Sequence, residues 1–332
     1  MSSPRTLRVL DLGHVDGLRS QTAWHALGHV APRPGEVTLS FQRSRDPYVC
    51  LGRHRSRDEL DLEYVAAQAL PVFRRMVGGG PVYLDRDQVF FQLSLPAAEV
   101  SPRRDVALAT LLEPAAAALR TCGVDAVLDA AGEISVGAAK VCGHGAGQIE
   151  DMVLVVGNLI LGFDHERAAR VLRTSCEATT DELLRLMRRY VHPTPVDAGT
   201  WQRAMVDAYS AALAVDPVAG GLRPDEVREM ERLDGVLARP DWVDAVRRQA
   251  RDVRTLKVRA GVWVHEWTHE AGCLVVSVAD GHVDNVLAVG SGPQPRALVG
   301  APVDRAREAL TRDRIEPLAA ALAAVPTGGV SR

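Results

Sequence analysis

The sequence of 332 residues predicts an α+β fold, a mixed β-sheet packed with helices, followed by a small α/β accessory domain. Three observations predict it. The first half alternates short apolar strands with helical segments. After Asp164 the texture turns mostly helical. A Pro- and Gly-rich stretch, Asp216–Arg223, then leads into a second set of helices and strands. The boundary is set there, giving a main domain over residues 1–215 and an accessory domain over residues 216–332.

The elements follow from periodicity. Arg8–Leu10 reads as the opening strand, and Arg19–Val30, with Trp24 and Leu27 on one face, as a helix. Val37–Phe41 and Tyr48–Leu51 read as strands. Asp58–Ala69 places Leu62, Val65 and Ala69 at helical spacing behind an acidic first turn. Pro71–Phe73 is a short strand. Pro81–Tyr83 and the strictly alternating Val89, Phe91, Leu93 and Leu95 make the clearest hairpin signal, with Asp85–Asp87 between them. Asp105–Leu119 is an alanine-rich helix. Ala126–Leu128, Glu133–Val136 and Met152–Leu161 are strands, the last apolar enough to be covered on both faces. Helices occupy Glu166–Tyr190, Gln202–Ala214, Pro224–Leu237 and Asp241–Arg251. Leu256–Val264 and Leu274–Val289 form a β unit, and Val303–Leu322 a helical tail.

Composition excludes several classes. A net charge of −3 is not the cationic surplus that a bulk grip on nucleic acid needs. No apolar run reaches the length of a membrane span, and Met1–Leu12 carries no export signal. The five cysteines, Cys50, Cys122, Cys142, Cys176 and Cys273, are scattered and contain no CxxC pair. The expectation is a cytoplasmic protein with reduced thiols and no metal site.

Two segments can carry chemistry. Gly78-Gly79-Gly80 lies between two strands just after Arg74 and Arg75. Adjacent glycines let a ligand approach bare backbone, and two guanidinium forks suit a carboxylate or phosphate. The plain alternative is a glycine-rich hairpin with two solvated arginines. The Walker spacing of lysine and hydroxyl is missing. Lys140 precedes a second flexible stretch containing Gly143, Gly145 and Gly147. Its point charge suits a carboxylate and an α-phosphate together; alternatively it is an exposed strand-end lysine.

The string Pro71–Tyr83, then Lys140-Val-Cys-Gly, then Val156-Gly-Asn-Leu-Ile-Leu-Gly-Phe-Asp164, resembles the lipoate-protein ligase A family of the biotin/lipoate ligase superfamily. Pro47–Arg53 matches the family's apolar-Gly-Arg strand end, and the likeness covers roughly residues 5 to 190. The resemblance implies a biotin/lipoate-ligase-like catalytic domain that makes lipoyl-AMP from lipoate and ATP, with Mg2+, and passes the lipoyl group to a lysine of an acceptor. That acceptor would be a lipoyl domain: an acyltransferase subunit of a 2-oxoacid dehydrogenase complex, a glycine cleavage H protein or similar. It assigns Arg74, Arg75, Gly78, Gly79, Gly80, Val82 and Tyr83 to the acyl substrate. Lys140 becomes the catalytic residue, grouped with Gly143, Gly145, Gly147 and Asn158 at the nucleotide. The chain departs from the family at Tyr83–Asp87, at Gly132-Glu133 in place of Asn-Asp, and at Cys142–Gly145 in place of Gly-Ser-Ala.

Two rivals remain. One is an octanoyltransferase fed by an octanoyl-carrier protein, with Cys142 or Cys176 as nucleophile; the former stands where relatives carry a small residue, and the latter falls within an expected helix and lacks a preceding proline. The other is a catalytically altered member that binds a lipoyl ligand. Biotin ligation ranks lower. His265-Glu-Trp-Thr-His269 fits HExxH, but its flanks predict a strand. There the two histidines would stand roughly a dozen ångströms apart rather than one helical turn. His25 and His29 are at i, i+4 without a third ligand. Arg185, Arg188 and Arg189 mark a solvated helix face or a seat for an acidic acceptor.

Overall fold

A computed structural model of the chain describes residues 5–129, 132–247 and 252–324. In chain order the first elements are β1 (Thr6–Val15), α1 (Gly17–His29), β2 (Glu36–Ser44), β3 (Tyr48–Leu51), α2 (Leu62–Ala67), β4 (Val72–Arg74) and β5 (Val82–Leu84). Next come β6 (Gln88–Pro96), α3 (Arg104–Thr121), β7 (Val127–Leu128), β8 (Ile134–Val136), β9 (Ala139–Ile149) and β10 (Met152–Ile160). Helices α4 (His165–Arg170), α5 (Glu177–Tyr190) and α6 (Ala198–Leu213) follow, then β11 (Asp216–Ala219), α7 (Pro224–Leu237) and α8 (Pro240–Val243). The chain ends with β12 (Val253–Arg259), β13 (Val262–His269), β14 (Gly272–Ala279), β15 (His282–Gly290), α9 (Val303–Arg312) and α10 (Glu316–Ala323).

Two compact units interleave along the chain. The first comprises the described parts of Met1–Glu59, Val65–Phe163 and His192–Arg247. The second comprises those of Leu60–Tyr64, Asp164–Val191 and Arg248–Arg332. The units therefore do not follow the linear division at 215/216. Asp216–Ala219, expected as linker, pairs in parallel with β1 and extends the first unit's sheet. Helix α7 packs on α1 through Ala23, Ala26, Met230 and Leu233. Of the helix expected over Asp241–Arg251, α8 covers Pro240–Val243, and residues 248–251 lie outside the described residues.

The first unit is built on a mixed eight-stranded sheet, order β11-β1-β2-β6-β10-β9-β8-β7, parallel across β11-β1-β2 and antiparallel beyond. Period two sorts its side chains. Val89, Phe91, Leu93 and Leu95 of β6 join Leu112, Ala116 and Leu119 of α3 and Trp201, Met205 and Tyr209 of α6 in the main core. The alternate residues, Phe90, Gln92 and Ser94, face α1 with Ser40 and Gln42 of β2; Gln42 Nε2 donates to the Ser20 carbonyl of that helix at 2.7 Å. A second sheet has order β4-β3-β5. The hairpin expected between Val82 and Leu95 is absent: β5 pairs antiparallel with β3, whereas β6 sits between β2 and β10. Alternation located both strands correctly but carries no information about partners.

The second unit is an antiparallel sheet β12-β13-β14-β15 between helices. Leu274, Val276 and Val278 pack on α9 and α10. On the opposite face Cys273 and Ser277 meet α5, where Ser277 Oγ donates to Glu182. No helix among the described residues is long and apolar enough to cross a membrane.

Candidate functional site

The candidate site stands on β9 and β10. The segment after Lys140, expected as a flexible stretch, is a continuous strand, because each residue from Cys142 to Ile149 has a cross-strand partner in β10. Partners share a face of a sheet. Gly143 lies opposite Asn158, Gly145 opposite Val156 and Gly147 opposite Leu154. Three residues without side chains at period two leave that face of β9 bare over a floor of Val156 and Leu154. Val77, which leads into the glycine loop, lies over it: a methyl on Gly147 would sit 3.5 Å from Val77 Cγ1. Leu154 also touches Gly28 of α1, so helix, loop and bare strand share one side of the sheet.

Lys140 stands at one end of this strip. It is half-buried, and its Nζ donates to Glu133 Oε1 at 3.0 Å. Glu133 is itself buried, and its segment is held by reciprocal bonds with Asp129, each 2.9 Å. The Lys140 carbonyl accepts from His192 N at 3.0 Å. Asn158 Nδ2 donates to Gln88 Oε1 at 2.5 Å, and its Oδ1 lies against Gly143 closely enough to exclude a methyl there. Lys140 Cε would be 3.6 Å from that methyl, which brings Lys140, Gly143 and Asn158 together. Among the described residues, β9 beyond Cys142 has β10 on one side only, so alternate backbone groups of its outer edge are open.

The thiol two residues after Lys140 is enclosed. Cys142 is buried, its Sγ bonds the Gly143 carbonyl at 3.3 Å, and burial pushes its pKa to about 12. Cys176 is the N-cap residue of α5 rather than mid-helix, and its Sγ lies 2.7 Å from Cys273 Sγ.

The two arginines beside the glycines have internal partners. Arg74 is 1% exposed. Its guanidinium donates to the carbonyls of Gly52, Arg53, Arg55, Trp242 and Val243 at 2.6–3.1 Å. Arg75 donates to the carbonyls of Cys50, Gly78 and Gly80 at 2.7–3.2 Å, curling the loop around itself. Gly79 has φ +99° and its carbonyl abuts Gly52, so neither position has room for a side chain. Gly78, Gly79 and Gly80 present backbone to the surface, while Arg74 is a clamp below it. In β5, Val82 is exposed and Tyr83 buried opposite Val49.

His25 adds a contact that its spacing did not announce. Buried and held well below the ordinary histidine pKa chiefly by desolvation, it is neutral, and its Nε2 accepts from Met76 N at 3.1 Å. It thereby ties α1 to the loop. The partners of Glu133 and Gln88 also emerge only in three dimensions. In sequence Glu133 is marked as standing at the family's Asn-Asp position, without its partner, whereas Gln88 gives only a slight signal, a polar residue opening an alternating strand. HExxH lies on β13, as its flanks predict; His265 and Glu266 point to opposite faces. Arg185 and Arg189 pair with Asp284, Arg185 also with buried Glu182, and Arg188 with Glu166.

A lysine, an amide side chain and open backbone at one end of a side-chain-free strip can hold an acid's carboxylate while its apolar chain lies along the strand. The family match places the chain among enzymes of the lipoate ligase/octanoyltransferase class. The chain belongs to the family described as the lipoyl protein ligase A/B catalytic domain, whose profile matches residues 25–196. It is 27% identical over 273 residues to octanoyltransferase LipM of Moorella thermoacetica, covering 72% of this chain and 97% of that protein. It is 25% identical over 159 residues to lipoate–protein ligase 1 of Staphylococcus aureus, covering 48% of each chain. A solved bipartite lipoate protein ligase of Thermoplasma acidophilum, described with its E2 lipoyl domain, has the same fold. Its TM-score is 0.68 at 20% identity, over 74% of this chain and 99% of that one.

Proposed function

We propose that this enzyme is an ATP-dependent lipoate–protein ligase. It condenses lipoate with ATP to lipoyl-AMP and pyrophosphate, then transfers the lipoyl group to a lysine of a lipoyl-domain acceptor. The observation that carries this reading is Lys140 beside Gly143 and Asn158, with a neighbouring thiol that is buried. Burial pushes the Cys142 thiol up and holds it protonated, which suits packing rather than a self-acylating nucleophile. Acid activated by ATP needs no such nucleophile. Lys140 would sit between the substrate carboxylate and the α-phosphate, offsetting charge as pyrophosphate leaves. The acyl chain would lie along Gly143, Gly145 and Gly147 over Val156 and Leu154. Magnesium would arrive on the triphosphate, for which one or two carboxylates suffice. Likeness to the staphylococcal ligase, and the fold shared with a ligase described with its E2 lipoyl domain, support the same assignment.

The octanoyltransferase reading is favoured by one observation, the 27% identity that extends over 97% of the Moorella protein. The two separate in one assay. The protein is incubated with an apo lipoyl domain and lipoate, with and without ATP, and in parallel with octanoyl-carrier protein. ATP-dependent mass gain on the acceptor with pyrophosphate release is the expected result, and Lys140→Ala should abolish pyrophosphate release while leaving the protein folded. Gain from the octanoyl carrier alone would assign the transferase instead. A mutant with undiminished pyrophosphate release would remove Lys140 from the mechanism.

A further inference from the structure

The second unit holds a cluster of sulfurs that the proposed ligase reaction at Lys140 does not use. Cys176, at the N-cap of α5, and Cys273, on β14, are 97 residues apart in sequence, yet their sulfurs lie 2.7 Å from each other. Two sulfurs in ordinary nonbonded contact stay about 3.6 Å apart, and a disulfide is about 2.05 Å. The two sulfurs are thus already in reach of each other, with well under an ångström left to close. Around them, Glu266 is fully buried; its Oε1 accepts from Ser175 N at 2.8 Å and from Thr179 Oγ1 at 2.6 Å. These bonds fix the first turn of α5 against β13 and so hold Cys176 over Cys273.

We infer that Cys176 and Cys273 form a reversible disulfide, a redox modification site in the second unit. A shared metal ion fits less well. On tetrahedral zinc two thiolate sulfurs stand about 3.8 Å apart, given bonds of about 2.3 Å. The carboxylate that would be the third ligand already accepts two hydrogen bonds. Among the described residues no fourth ligand of the usual kinds joins Cys176, Glu266 and Cys273.

The order of events follows from exposure. Cys176 is half-buried, whereas Cys273 is 5% exposed and burial pushes its thiol up to about 12. With a small disulfide such as oxidised glutathione as oxidant, Cys176 loses its proton to solvent and attacks one reagent sulfur. That step forms a mixed disulfide and releases one reduced thiol. Cys273 Sγ, already adjacent, then attacks Cys176 Sγ, gives up its proton and expels the second reduced thiol. Two electrons pass from the cysteine pair to the reagent disulfide. The bond closes a long loop and restricts the unfolded chain more than the folded one.

The test is thiol counting on the intact chain. The reduced, denatured protein should titrate five thiols, matching its five cysteines. After incubation with oxidised glutathione and removal of the reagent, it should titrate three. Non-reducing peptide mapping should show Cys176 joined to Cys273, and oxidation should raise the Tm by several degrees, reversibly with dithiothreitol. Cys273→Ser should instead trap one glutathione on Cys176, and Cys176→Ser should leave Cys273 unmodified. Five thiols after oxidation, or linkage of either cysteine to Cys50, Cys122 or Cys142, would overturn the assignment. So would stoichiometric zinc that survives desalting and is lost in both variants.

Discussion

Replacing Arg74 by lysine separates two roles for the same motif. If the arginine beside the glycines serves ligand, Arg74→Lys should weaken substrate binding and leave stability alone. The geometry predicts the reverse. Arg74 is buried and bridges five carbonyls, those of Gly52, Arg53 and Arg55 after β3 and those of Trp242 and Val243 in α8. The Trp242 indole donates back to the Arg74 carbonyl at 3.0 Å. A lysine ammonium has three donors on one atom and cannot span both segments. It therefore leaves at least two buried carbonyls without a charge-assisted bond, at about 1.5–3 kcal/mol each. A loss of about 3–6 kcal/mol is a large share of the 5–15 kcal/mol that holds an ordinary domain. At about 2–4 °C per kcal/mol for a domain of this size, the Tm should fall by at least about 6 °C. The assay is paired thermal and urea melts of wild type and Arg74→Lys, followed by the KM for the acid at a temperature where both are folded. An unchanged melt with a raised KM would refute the clamp and return Arg74 to the ligand.

Other substitutions carry equally direct expectations. Gly143→Ala pushes Asn158 off Gln88 and leaves a buried amide oxygen unpaired. It should destabilise by about 1–3 kcal/mol in urea melts and slow pyrophosphate release; an Asn158→Ala enzyme that suffers just as much from Gly143→Ala would show that the contact is not the cause. Cys142→Ser should leave acyl transfer within a few-fold of wild type, because the thiol is buried and protonated; complete loss of transfer with a normal melt would contradict this. Acid stability should be set in part by His265, buried on β13 and lowered to about 4 by desolvation. Its folded pKa lies below the unfolded value of about 6.5, so the unfolded chain binds the extra proton. Its contribution is therefore complete above about pH 6.5 and is lost as the pH falls towards 4, by about 3 kcal/mol at most. His265→Gln should flatten the urea midpoint across that window, and an unchanged slope would exclude it.

Local chemistry was legible where a single element decides it. Alternation located β6, an apolar run located β10, and the helix expected over Pro224–Leu237 is α7. Partners were not legible. Nothing in Val82–Leu84 says that it pairs with Tyr48–Cys50 rather than with the strand that follows it. Asp216–Ala219 has turn-like composition but becomes an edge strand because β1 has an open side. The same limit applies to the site. Lys140, Gly143 and Asn158 could be named from letters in order, since one hairpin of strands brings them together. The role of Arg74 depends on Trp242 and Val243, which follow it by 168 and 169 residues. A motif arginine that faces ligand and one that faces carbonyls have the same sequence signature.

Cation usage sharpens what is special about Lys140. Of the 39 basic residues, two are lysines, Lys140 and Lys257. Everywhere else arginine is the cation, and its structural jobs here are those that a planar fork performs: bridging carbonyls at Arg74, curling a loop at Arg75, and pairing with carboxylates along α5. Lys257 lies on β12, exposed, with its ammonium 5.4 Å from the Trp263 ring centroid, a contact that arginine would make as well. Lys140 differs. Its stem runs beside Gly143, where side-chain bulk is excluded, and its ammonium meets a single carboxylate oxygen of Glu133. A guanidinium there would reach further and carry a plane that the strip beside Asn158 has to accommodate. In the proposed ligase reaction, a compact charge on a flexible stem would instead leave Glu133 and follow an anion as its charge redistributes between carboxylate and phosphate. The glycines and the lysine are thus two parts of one requirement: room against the strand, and one movable positive charge at its end.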